Sequence, residues 1–175
     1  AAVSMVAASL AGCGSKSDNT ASTDTTADSA TAGDTLKIGG IGPITGGAAV
    51  YGLAVKNAAE LAVKEINEAG GSVQFELKYE DDENDPEKAV SAYNALKDWG
   101  MQISLASVTT KPCEATSTEH FADRIFGLTP SASSTAITEG KDNVFQMCFA
   151  DPNQGLASAD YIADQKLGTK IAVIY

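Results

Sequence analysis

The chain has 175 residues, 43% of them hydrophobic and 20% charged, and a formal charge of −11. That is room for one folded domain of about 140 residues with a real core. Lys and Arg are outnumbered 12 to 23 by Asp and Glu, which argues against nucleic acid as a partner, because phosphates need cations. Cys13, Cys113 and Cys148 show no metal-ligand spacing and only His120 is available to help them, so no structural zinc site and no metal is expected.

Residues Ala1 to Gly12 read AAVSMVAASLAG, small and apolar and too short to span a bilayer. They read as the tail of a signal peptide that lacks its methionine and basic start. Leu10-Ala11-Gly12-Cys13 resembles the bacterial lipobox, whose cysteine is lipidated and becomes the mature N-terminus. Cys13 is then an anchor, since two or more acyl chains attach stably where one is marginal. Gly14 to Asp34 has no aromatic and no large aliphatic residue, so it reads as a flexible tether.

Leu36 to Tyr51, LKIGGIGPITGGAAVY, reads as strand, loop and helix start, the place where open α/β sheets bind ligands. It carries neither a Gly-x-Gly-x-x-Gly fingerprint nor a P-loop, so no cofactor is expected. Ala54, Ala58, Leu61, Ala62 and Ile66 recur at helical spacing until Gly70-Gly71. Val73 to Tyr79 alternates as a strand, and after an acidic loop Asp85-Pro86 opens a helix that ends near Trp99-Gly100. A strand is expected at Gln102 to Ala106, a polar loop at Ser107 to Pro112, a helix at Glu114 to Arg124 and a strand at Ile125 to Leu128. Thr129 to Gly140 is a second polar loop, and a strand at Val144 to Phe149 leads to Asp151-Pro152-Asn153-Gln154, which resembles a capping box, and a helix to about Lys166. Lys170 to Tyr175 reads as one more strand. Six strands with helices between them argue for a doubly wound, mainly parallel sheet covered on both faces. A chain that stops inside an apolar strand, and starts without methionine, reads as truncated at both ends.

Loops Val108-Thr109-Thr110 and Ser131-Ala132-Ser133 follow successive strands and supply hydroxyls and free backbone at adjacent strand ends. A zwitterionic amino acid offers a carboxylate that such donors would hold and an ammonium that a carbonyl would accept. Ser and Thr also serve as plain turn and cap residues.

The segments KIGGIGPITGGAAVYGLAVKNAAELAVKEINEAGG, YEDDENDPEKAVSAYNAL, SVTTKP, LTPSASS and FQMCFADPNQG follow one another in an order that resembles the amino-terminal half of the leucine/isoleucine/valine-type substrate-binding proteins of ABC transporters. The resemblance runs from about Leu36 to Tyr175. It implies a type I periplasmic-binding-protein fold, two α/β lobes closing on a small ligand. Residues 35–150 would be lobe one, and 151–175 the hinge crossover and the start of a truncated lobe two. It implies Thr110 and Ser133 on the ligand carboxylate beside Thr109, the Ser131 carbonyl on the ammonium, and Tyr51 as a wall. The partners implied are an amino-acid-like ligand and a membrane permease, at an extracytoplasmic, lipid-anchored site. Some relatives carry a disulfide for which Asn84 and Thr109 occupy the places here, so Cys113 and Cys148 are expected to be free.

Glu80, Asp81, Asp82, Glu83 and Asp85 lack calcium-loop spacing and read as a solvated loop. His120 reads as a surface histidine, while Tyr93 and Trp99 read as packing residues and Cys148 as a small core residue. Without a nucleophile, metal or cofactor motif the expectation is a binding protein and not an enzyme. A ligand-sensing receptor ectodomain of the same fold, or a truncated doubly wound enzyme, are the alternatives.

Overall fold

A computed structural model describes residues 35–174, so Cys13 and the 14–34 linker lie outside the described residues. The elements in order are β1 (Thr35–Gly42), α1 (Ala49–Glu68), β2 (Gln74–Asp81), α2 (Pro86–Trp99), β3 (Ile103–Leu105), α3 (Thr110–Asp123), β4 (Phe126–Thr129), a 3-10 turn (Thr135–Ile137), β5 (Val144–Gln146) and α4 (Asp151–Asp164). The strands form one parallel sheet in the order β2-β1-β3-β4-β5. Moving from β1 to β2 and then from β2 to β3 reverses direction along the sheet. Right-handed crossovers therefore place α1 on one face and α2 and α3 on the other.

The α2–α3 face holds the core. Ile41, Ala89, Ala92, Tyr93, Leu96 and Met101 form one buried cluster, with Trp99 packed against it, and Ala106, Cys113, Ala132, Ile137 and Val144 form a second. Helix α2 has both of its ends written in sequence. The Asp85 side chain accepts from the N–H groups of Glu87 and Lys88, Pro86 sits at the first helical position, and Gly100 closes the helix at φ 93°, where a side chain would be strained.

Among the described residues the opposite face is covered over β1 and β2, where α1 packs. Gly127 lies against His120 of α3, so the alternation of β4 turns Phe126 and Leu128 the other way. Phe126 and Phe145 stack there at 5.4 Å between ring centroids and stay exposed, with no described helix over them.

Four expectations are corrected. The spacing in α1 announced the helix but not its inner face: Ala54, Ala58, Leu61, Ala62 and Ile66 are exposed, whereas Gly52 is buried and Val55, Ala59, Val63 and Asn67 are partly so. Asn67 fixes that rotation, its amide donating to the Phe75 carbonyl at 2.8 Å and accepting from the Phe75 N–H at 2.9 Å. Residues 170–174 are exposed and form no strand, since no described strand lies beside them to complete a ladder. Helix α4 begins one residue earlier than a capping box would place it: Ala150 is the N-cap, no side chain caps it, and Asp151 falls in the first turn.

His120 is the fourth, because it is fully buried. Its ring packs on Tyr93 with centroids 4.6 Å apart, and Nδ1 lies 2.6 Å from the Thr116 carbonyl. Beyond Pro112 and Cys113, the buried residues of α3 are Thr116, Ser117 and His120, polar groups that turn back onto their own helix: Thr116 Oγ1 donates to the Pro112 carbonyl at 3.2 Å and Ser117 Oγ to the Glu114 carbonyl at 2.8 Å. Hydropathy is blind to such a face. Burial lowers the His120 pKa, although the Thr116 carbonyl pulls the other way. The folded state thus keeps the ring neutral while the unfolded chain takes a proton below its ordinary value of 6.5. Stability held above that pH is lost on acidification, by up to about 1.4 kcal/mol per pH unit for one proton. Urea titrations between about pH 8 and pH 5 should show this slope in the wild type and a flatter one in His120→Gln; equal slopes would contradict it.

Candidate functional site

A cleft of about 270 Å³ opens at the carboxyl ends of β1, β3 and β4, lined by Tyr51, Val108, Thr109, Thr110 and Ser131. That volume suits a small molecule. Of the five residues expected to bind ligand, the fold brings four to this lining. Ser133 stands one step behind: its N–H donates to Thr110 Oγ1 at 3.4 Å and its carbonyl accepts from the Asp151 N–H at 3.0 Å. Ser133 therefore joins the α3 side of the cleft to the start of α4.

The β3 loop is shorter than expected, because α3 starts at Thr110 and not at Glu114, with Thr109 as an extended N-cap. Pro112 does not prevent this, since first-turn N–H groups have no carbonyl within the helix and nothing is lost by replacing one. The consequence is chemical. The N–H groups of Thr110 and Lys111 and the positive end of the helix dipole lie at the cleft, an arrangement that favours an anion. Thr110 Oγ1 accepts from Ser133, so its own proton is free to be donated.

The walls are held by hydroxyls. Ser131 Oγ donates to the Val108 carbonyl at 2.7 Å, and Thr129 Oγ1 donates to the Ser107 carbonyl at 2.8 Å while accepting from the Ala132 N–H at 3.2 Å. Ser131 thus spends its hydroxyl on the neighbouring loop. Thr129 and Ser107, both fully buried, were not singled out from sequence, although a hydroxyl at each of two strand ends was a visible sign. Tyr51, on the first turn of α1, is 64% exposed and closes one side.

The acidic stretch after β2 is not a simple solvated loop. Asp81 Oδ1 accepts from the N–H groups of Ile44 and Glu83, each at 2.9 Å, and Oδ2 from Thr45 Oγ1 at 2.5 Å. Partial burial raises the Asp81 pKa, but these bonds from Thr45, Glu83 and Ile44 outweigh it and hold the carboxyl below the usual range. This carboxylate ties the β1–α1 loop to the end of β2. Asp82, by contrast, is fully buried.

A second concavity of about 510 Å³ lies against α4, walled by Phe149, Asn153, Gln154, Ala157, Ser158 and Tyr161. All six are exposed, so it is an open dish on one helix. Cys113 is buried and Cys148 half-buried; both thiols are free, and Cys148 Sγ donates to the Ala132 carbonyl at 3.3 Å. No helix of the described residues is long and apolar enough to cross a membrane.

An α/β sheet with its donors gathered at the carboxyl edge is the architecture of a binding lobe. The profile of the family described as "Periplasmic binding protein" matches residues 35–175, and the chain belongs to that family. A Leu/Ile/Val-binding protein homolog of Brucella melitensis is 36% identical over 143 residues, 80% of this chain and 39% of the relative. A leucine-, isoleucine-, valine-, threonine- and alanine-binding protein of Pseudomonas aeruginosa is 31% identical, covering 82% and 39%. Among solved structures, the branched-chain amino acid transporter substrate-binding protein LivJ of Streptococcus pneumoniae, in complex with isoleucine, superposes with a TM-score of 0.69 at 29% identity, over 75% of this chain and 38% of that one. The fold is that of the type I periplasmic binding proteins. The chain spans about two fifths of the length of the relatives it matches, the extent of a single lobe.

Gly52 sets how closely α1 meets the cleft. A Cβ there would stand 1.9 Å from the Pro43 carbonyl oxygen, which belongs to the loop leaving β1. Gly52→Ala should cost about 1–3 kcal/mol in denaturant unfolding, because backbone has to move; an unchanged midpoint would show that the loop yields freely.

Proposed function

We propose that this chain is the first lobe of an extracytoplasmic substrate-binding protein of an ABC transporter, which captures a branched-chain or related amino acid and delivers it to a membrane permease. The observation that carries the reading is the convergence of the α3 N-terminus, the free Thr110 proton and the Ser131 loop on one small cleft. There the helix start and Thr110, with Ser133 behind it, meet the ligand carboxylate, the Ser131 carbonyl meets the ammonium, and Tyr51 and Thr109 wall the site. Residues 35–150 form this lobe, and 151–175 begin the crossover into a second. Closure of the second lobe onto the ligand is the signal to the permease, because a ligand shifts an open–closed equilibrium only by its differential affinity. Relatives whose names specify leucine, isoleucine and valine, and the isoleucine complex of LivJ, support this ligand class. The role is binding: the Ser131 hydroxyl is held by the Val108 carbonyl and Thr110 Oγ1 is held by the Ser133 N–H, which fixes both residues as ligand contacts. Cys13, lipidated, would tether the protein outside the membrane.

Calorimetry on the full-length protein, freed of residues 1–13, should detect L-leucine, L-isoleucine or L-valine. Thr110→Val should weaken binding about tenfold or more, the equivalent of one charge-assisted hydrogen bond. Heat from none of the three amino acids would overturn the reading.

A further inference from the structure

Asp82 follows the last residue of β2, at the same sheet edge as the cleft, and is fully buried. Its backbone is fixed on both sides: the N–H donates to the Gly42 carbonyl at 3.3 Å and the carbonyl accepts from the Asp85 N–H at 2.8 Å. Oδ1 accepts from the Asn84 N–H at 2.9 Å, which anchors the carboxyl on the turn that starts α2. Among the described residues Oδ2 has no hydrogen-bond partner, and neither has the buried hydroxyl of Ser107. The two groups adjoin, close enough for the Ser107 hydroxyl to favour the ionised carboxyl. Ser107 is the first residue after Ala106 and opens the turn that delivers Thr109 and Thr110 to the cleft. Thr109 Oγ1 is buried in that turn without a partner as well.

Among the described residues, the titratable groups that act on Asp82 are acids. Asp81 precedes it, Tyr79 faces it from β2, Asp85 from the start of α2 and Cys113 from α3. Burial raises the Asp82 pKa first of all, and Asp81 and Asp85 add to it, against the Asn84 N–H and the Ser107 hydroxyl. The Cys113 thiol is pushed up to about 12, chiefly by burial. A carboxyl in such company costs stability when ionised, and among the described residues no cation pairs with it in compensation. Its place is therefore better explained by the loop it borders than by the fold it burdens.

We propose that Asp82 is a positioning residue of the ligand site, its buried carboxyl steering the Ser107 hydroxyl and so setting the Ser107–Thr110 turn on which the α3 N-terminus meets the ligand. An ionised carboxyl can only accept and so would draw the Ser107 proton toward it; a protonated one would present a donor in its place and release that orientation. The inference rests on the proposed binding function, and its test separates the two. The comparison uses the full-length wild type and Asp82→Asn, titrated with L-isoleucine by calorimetry from about pH 8 to about pH 5. Wild-type affinity should fall on acidification, and Asp82→Asn should bind about tenfold more weakly at the upper pH with little pH dependence. Its melting temperature should hold or rise at that pH, since an ionised buried carboxyl has been removed. A purely structural residue would do the reverse, lowering the melting temperature and leaving the affinity of the folded protein alone. Equal affinity and equal pH profiles in the two proteins overturn the proposal. So does tighter binding by Asp82→Asn, which would make Asp82 a repulsive charge and not a guide. Amide hydrogen exchange on the ligand-free proteins provides a readout without isoleucine: exchange at Cys113, whose N–H donates to the Thr109 carbonyl at 3.0 Å, should quicken in Asp82→Asn while Phe121 stays protected. Should isoleucine fail to bind the wild type, the functional reading falls and this exchange pattern alone decides the role of Asp82.

Discussion

The cleft depends on register. Gly40 of β1 pairs with Leu105 of β3, and Leu105 pairs with Leu128 of β4, so three consecutive strand ends stop at nearly one level. The loops that leave them have no choice but to meet. A parallel sheet places every helix start on that same edge, which is why α1 and α3 both present N-terminal turns there. The hydroxyls of Thr129 and Ser131 then bind the β4 loop to carbonyls of the β3 loop, so that two loops behave as one wall. A single-residue slip of β4 against β3 would turn Thr129 to the other face and separate them.

The supports of this edge are polar, with Thr129 fully buried and Asp81 and Ser133 partly so. Asp81 holds the β1 loop, Thr129 the β3 loop and Ser133 the start of α4. Polar groups make poor core, but they fix direction, and direction is what a small ligand's carboxylate requires. The apolar clusters beneath, with Tyr93 and His120 in contact between α2 and α3, supply the burial that holds the polar frame together.

Local rules explain what the sequence made legible. Asp85-Pro86 and Gly100 bound α2 because capping and a left-handed stop are chemistry of adjacent residues. Alternation placed β2, and Thr110 and Ser131 could be named because strand-end loops are where such donors gather. The early start of α3 stayed hidden, as Thr109, Thr110 and Pro112 look like a turn until the helix behind them is known. His120 was misread because its burial comes from Tyr93 of α2, far away in sequence, and the buried residues one turn before it, Thr116 and Ser117, are polar. In α1 the outward face carries alanines and large aliphatics at helical spacing, so the inward turn follows from contacts the spacing does not show: the close approach of Gly52 to Pro43 and the bonds from Asn67 to Phe75. Residues 170–174 show the remaining case, since a strand is a property of its partner and no pattern within one segment can supply it.

The central claim is that a ligand's carboxylate sits on the first turn of α3. An amide-resolved NMR titration of the full-length protein with L-isoleucine measures this directly. The account predicts that the N–H signals of Thr110 and Lys111, and that of Ser133 behind Thr110, move first and farthest. Shifts confined to α4 and Phe149, with the α3 start unmoved, would contradict it.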